Sequence, residues 1–146
     1  MRVEGKSIIV TGAGGGIGEG IARRLASEGA KLVIAGRDTD SVAGFAKELD
    51  GIGVACDITN EADLAALAQA AVDRFGGLDI ALNATGWGLL KPFLETTKEE
   101  IEKITALQFT GAILFYQAML RAMRDGGSLI QISSATASIM WTPRFW

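Results

Sequence analysis

The sequence predicts a doubly wound α/β fold with a parallel sheet, on three observations. Short β-branched runs alternate with stretches of helical apolar spacing, the runs are continuously apolar, and glycines punctuate the junctions. Strands of that kind are covered on both faces, and a helix between successive strands forces right-handed crossovers into a parallel sheet.

Lys6-Ser7-Ile8-Ile9-Val10-Thr11 is the first strand and stops at glycine; Ile17, Ile21 and Leu25 then repeat at helical spacing until Gly29 closes the segment. Lys31-Leu32-Val33-Ile34-Ala35 is the second strand, followed by a helix with Val42, Phe45, Ala46 and Leu49 on one face. Ile52-Gly53-Val54-Ala55-Cys56 is the third. Asn60, with Asp63 three residues on, caps the next helix, whose stripe is Leu64, Leu67, Ala68, Ala71, Val72 and Phe75 and which ends at Gly76-Gly77. Leu78-Asp79-Ile80-Ala81-Leu82 is the fourth strand. Thr97 with Glu100 makes a capping box for one long helix running to about Arg124, and Ser128 to Ser133 is a fifth strand.

Composition narrows the function. A chain of 146 residues with 49% hydrophobic and 21% charged residues fits one compact domain, or a piece of one. Fourteen Lys and Arg against seventeen Asp and Glu give a net charge of −3, which disfavours nucleic acid as a partner. There is no histidine and a single cysteine, Cys56, so no zinc site, no serine–histidine triad and no internal disulfide is expected. Apolar stretches fall short of a membrane span, and a cytoplasmic protein with no membrane partner is expected.

In such a sheet, ligands bind beyond the carboxyl ends of the strands where the strand order reverses, so functional residues should follow the strands. After the first strand comes Thr11-Gly12-Ala13-Gly14-Gly15-Gly16-Ile17-Gly18, five glycines in seven positions from Gly12 to Gly18. Gly12, Gly16 and Gly18 stand where a backbone must turn sharply, approach a pyrophosphate and let the helix pack on the sheet; Gly14 lies inside the same loop. Phosphates would rest on the free N–H groups opening the helix at Ile17. After the second strand, Arg37 in Gly36-Arg37 suits a ribose 2′-phosphate and favours NADP(H); the alternative is a solvated surface charge, and adjacent Asp38 keeps NAD(H) open.

The spacing Gly-x-x-x-Gly-x-Gly resembles the first turn of the short-chain dehydrogenase/reductase family, and the resemblance extends from Lys6 to Ser134. It implies a Rossmann-like domain of which these five strands are the cofactor-binding half. Asp57-Ile58 matches the family's Asp-aliphatic pair that meets adenine, with a turn or cap before Thr59 as the other reading. Asn83-Ala84-Thr85-Gly86 stands for the family's Asn-Asn-Ala-Gly, so Asn83 and Gly86 match while the middle differs. Gln108 occupies the place of an asparagine in the family's proton relay; a polar helix residue with no catalytic role is the alternative. Ile132-Ser133-Ser134 matches the family's Ile-Ser-Ser, which makes Ser134 the hydroxyl that bonds the substrate oxygen, against a strand-end hydroxyl that caps backbone.

The resemblance implies hydride transfer between a nicotinamide and a small-molecule carbonyl or secondary alcohol, with a Tyr-x-x-x-Lys pair as proton donor. That motif belongs a dozen or so residues after Ser134, at or just beyond Trp146. The only tyrosine, Tyr116, has Leu120 four positions later and reads as helix packing, and Trp87 as core or rim packing or a neighbour of the nicotinamide. The expectation is therefore a domain interrupted before its proton donor, inactive as given, with a homo-oligomer implied only for the complete protein and an aromatic tail from Ser138 to Trp146 that has nothing obvious to pack on. A catalytically silent dinucleotide-binding or interaction module is the rival reading, and a methyl-donor nucleotide site a third.

Overall fold

A computed structural model describes residues 2–134. The elements are β1 (Ser7–Thr11), α1 (Gly16–Ser27), β2 (Lys31–Gly36), α2 (Thr39–Glu48), β3 (Ile52–Ala55), α3 (Glu61–Phe75), β4 (Ile80–Asn83), α4 (Lys98–Thr105), α5 (Gly111–Ala122) and β5 (Ser128–Gln131). The five strands form one parallel sheet in the order β3-β2-β1-β4-β5. The doubly wound architecture is thus the one the alternation predicts. The aromatic tail lies outside the described residues.

The central strand is inaccessible along its whole length, and its side chains divide between two cores. Ile8 and Val10 join Leu32 and Ile34 beneath Ala22 of α1 and Val42 and Ala46 of α2. Ile9 joins Val33 and Ala35 against Leu64, Leu67 and Ala71 of α3 and Phe115 and Met119 of α5. Each fully buried Ile, Leu or Val contributes roughly 1.5–3 kcal/mol relative to exposure, so β1 and β2 anchor both layers. The outer strands β3 and β5 instead alternate in exposure, because successive side chains point to opposite faces and the two faces are unequally covered there.

The helix starts follow the capping chemistry. Asn60 accepts from the N–H groups of Ala62 (2.9 Å) and Asp63 (3.3 Å), and the left-handed Gly76 (φ +85°) closes α3. Asp63 does not complete a reciprocal box; its carboxylate takes the Asp57 N–H at 2.9 Å. Thr97 and Glu100 do form a full capping box at α4.

The long helix expected from Thr97 to about Arg124 runs from Lys98 to Ala122 and carries a π turn inside it. After α4 the backbone widens into a π turn, Ala106–Thr110, before resuming as α5, which ends at Ala122. The inserted residue turns the side chains that follow by about 100° relative to those before it, and no residue type in Ala106–Thr110 marks the place in advance.

Candidate functional site

The strand order turns at β1, which has β2 on one side and β4 on the other, so the carboxyl ends of β1 and β4 open the crevice in which ligands of doubly wound sheets bind. The glycine turn sits there. Gly12 has φ +70° and lies so close to the chain leaving β4 that a Cβ would stand 2.6 Å from the Ala84 carbonyl carbon and 2.7 Å from the Thr85 nitrogen. A Cβ on Gly18 would run into the Gly12 carbonyl, so α1 abuts the turn backbone to backbone. Between these two tight points, Gly14, Gly15 and Gly16 face open space, and Gly16 has φ +56°. The amino end of α1 receives no side-chain cap. Its first N–H groups and the positive end of the helix dipole face that opening, a seat suited to an anion of diphosphate size. Ile17, 64% exposed, forms its apolar rim.

Arg37, after β2, is solvent-exposed and makes no ion pair or hydrogen bond among the described residues. Its neighbour Asp38 is occupied: the carboxylate accepts the Ser41 N–H at 2.7 Å and caps α2. Asp57 is held by Thr59, whose N–H (2.9 Å) and hydroxyl (2.8 Å) both donate to Oδ1. Those bonds, the backbone one foremost, and the nearby Arg37 charge keep the Asp57 carboxyl below its ordinary range. Asp57 thus braces the turn into Thr59 through Oδ1. The Ile58 side chain is buried in the α3–α5 core and packs against Gly111, leaving its backbone as what it can offer a ligand. Cys56 is buried, and burial, followed by the Asp63 and Asp57 charges, raises its thiol to about 12, which makes it a packing residue.

Asn83, 1% exposed, is the polar centre of the crevice floor. Its Oδ1 accepts from the Thr11 hydroxyl (2.7 Å), the Thr85 N–H (3.1 Å) and the Thr85 hydroxyl (2.6 Å), and its Nδ2 donates to Gln131 Oε1 at 3.0 Å. Gly86 is exposed just beyond. Gln108 lies in the π turn, and its amide N–H donates to the Trp87 carbonyl. Trp87 is 37% exposed, with the Lys103 ammonium 4.9 Å from its ring centroid. Lys91 pairs with Glu100 at 2.9 Å, a further tie between this loop and α4. Ser134, exposed, follows β5 at the same end of the sheet.

The structure thus gathers Gly12, Gly14, Gly16, Ile17, Gly18, Asn83 and Gly86 at the β1–β4 opening, and sets Arg37 and Asp57 along its β2–β3 side. Three contributors escape sequence reasoning: Thr11, Thr85 and Gln131. A signal was present. Thr11, Asn83 and Gln131 each end an apolar strand with a polar residue, and the three are register partners across β1, β4 and β5.

A parallel doubly wound sheet with a glycine turn against an uncapped helix start at its switch point defines a nucleotide-site architecture. The comparisons name the family. The family described as enoyl-(acyl carrier protein) reductase matches residues 12–145, and the chain belongs to the short-chain dehydrogenases/reductases. It is 36% identical over 141 residues to an L-fucose dehydrogenase of Oryctolagus cuniculus, covering 94% of this chain and 50% of that protein. Among solved structures it resembles a short-chain type dehydrogenase/reductase from Mycobacterium marinum (TM-score 0.91, 30% identity, 97% of this chain and 60% of that one). It also resembles a short chain dehydrogenase from Burkholderia cenocepacia J2315 in complex with NADP (TM-score 0.86, 26% identity, 94% and 59%). The chain spans about half to three-fifths of the length of these proteins. No helix among the described residues is long and apolar enough to cross a membrane.

Proposed function

We propose that the chain is the cofactor-holding portion of an NADP(H)-dependent oxidoreductase acting on a small-molecule carbonyl or secondary alcohol. The observation that carries this reading is the open seat at Gly14–Gly16, held between the close contacts of Gly12 and Gly18 and facing an uncapped helix start. A bound nicotinamide nucleotide supplies or accepts the hydride. The chain's own residues do the rest. The N–H groups opening α1 take the diphosphate, Asp57 Oδ2 and the Ile58 backbone receive the adenine end, and Asn83 and Gly86 line the passage toward the substrate.

Arg37 selects the phosphorylated form. Its guanidinium makes no hydrogen bond or ion pair among the described residues, whereas the neighbouring Asp38 carboxylate already accepts the Ser41 N–H as the α2 cap. Ser134 is proposed to bond the substrate oxygen, and Gln108, whose amide N–H is already given to Trp87, to offer its carbonyl oxygen to the relay. Tyr116 is not the proton donor of this scheme, because its hydroxyl is directed to Gln131 at 3.3 Å. Turnover is accordingly proposed for the whole protein and not for residues 1–146 alone.

Thermal-shift titration with NADPH, NADH and S-adenosylmethionine tests the reading. Stabilisation is expected to be largest with NADPH; a response to S-adenosylmethionine alone, or to none of the three, contradicts it.

A further inference from the structure

We propose that Gln131, held by Tyr116, is a positioning residue for the cofactor turn, acting through Asn83 and Thr85; the inference rests on the NADP(H) reading above. Thr85 N–H can only donate, so the Asn83 atom that meets it at 3.1 Å is the oxygen. Asn83 Nδ2 is thereby turned to β5, where it can only donate and meets Gln131 Oε1 at 3.0 Å. Gln131 must then direct its own Nε2 elsewhere, and it donates to the Ile132 carbonyl at 3.0 Å, a group that can only accept. Both amides are fixed in one orientation, each by an independent backbone group.

Tyr116 adds the last constraint. From α5, on the same face of the sheet, its hydroxyl donates to the same Gln131 Oε1 at 3.3 Å. Thr11, Asn83 and Gln131 are in register on adjacent strands, so the chain of bonds runs straight across the sheet from α5 to the end of β1.

The far end of this chain is the wall of the glycine turn. Thr85 is held by Asn83 Oδ1 through both its N–H and its hydroxyl, and the Ala84–Thr85 peptide it carries is the backbone against which Gly12 leans. An Asn83 amide without its acceptor on β5 is a buried unsatisfied donor, and it regains a partner only by rotating and releasing Thr85. The turn then loses the surface that fixes it. Sites of this kind lose affinity when supporting groups let the primary ones drift by fractions of an ångström.

The test is a double-mutant cycle read as NADPH affinity by fluorescence titration, well below the melting temperature of every variant. Gln131→Leu is expected to weaken binding about tenfold and Tyr116→Phe about threefold, with the double variant no weaker than Gln131→Leu. In the ligand-free protein the Asn83 side-chain amide protons are expected to exchange slowly with solvent, and faster in Gln131→Leu. Should that variant not fold, Tyr116→Phe, which deletes one oxygen, carries the test on both readouts. Unchanged affinities in variants of a wild type that binds, effects of the two substitutions that multiply, or unchanged amide exchange overturn the positioning role. Failure of the wild-type chain itself to bind NADPH or NADH overturns the cofactor reading and this inference together.

Discussion

The Thr11 hydroxyl donates to Asn83 Oδ1 at 2.7 Å, joining the last residues of the two strands that open the crevice. Both side chains are 1% exposed, so neither has water as a substitute partner. Thr11→Val removes the hydroxyl while keeping the shape. It is expected to cost about 1 kcal/mol of stability, measured by urea unfolding, and Asn83→Ala, which strands Thr85 and Gln131 as well, about 1–3 kcal/mol.

The glycines of the turn divide into those that abut backbone and those that face open space. Gly18→Ala forces the helix off the turn and is expected to destabilise by about 1–3 kcal/mol. Gly14→Ala meets nothing within 4 Å, so its melting temperature is expected to stay near wild type while NADPH affinity falls. Calorimetric melting and a binding titration on the two variants check the separation.

Arg37→Ala is expected to weaken NADPH binding by about tenfold or more while leaving NADH binding nearly unchanged, since only the 2′-phosphate needs the charge. Asp38→Ala is expected to cost about 1 kcal/mol of stability through loss of the α2 cap, without transferring preference to NADH. Parallel titrations with the two nucleotides and urea unfolding read both effects.

Asp79 sets part of the acid limb. The Lys6 ammonium at 2.8 Å, then the Ser7 N–H at 2.9 Å, hold its carboxyl below the ordinary range. A depressed folded-state pKa stabilises fully above the unfolded value, about 3.9, and that contribution is lost as pH falls through the folded one. Asp79→Asn is therefore expected to be less stable than wild type near neutrality, with the difference shrinking below about pH 4. Urea midpoints of the two proteins from pH 7 to pH 3 check the sign.

Much of this was legible in the sequence because the relevant forces are local. The β1 and β2 runs, the Asn60 and Thr97 caps and the Gly12–Gly18 turn each carry their conformation in their own residue types. The π turn was not legible, since every residue type in Ala106–Thr110 is compatible with an ordinary helix and none marks the wider turn. Nor was the bond from Asn83 to Gln131, 48 residues apart, because it depends on strand register rather than on neighbours in the chain. The Asp38 cap was also hidden, because only the folded backbone brings the Ser41 N–H to its Oδ1.

The proposed seat of the diphosphate is the row of amides that opens α1, and backbone amide NMR of the chain titrated with NADPH reads those amides one by one. The expected result is that the largest shifts fall on the amides of residues 14–18. Saturating nucleotide that leaves those amides unmoved, while shifting others or none, would contradict the account.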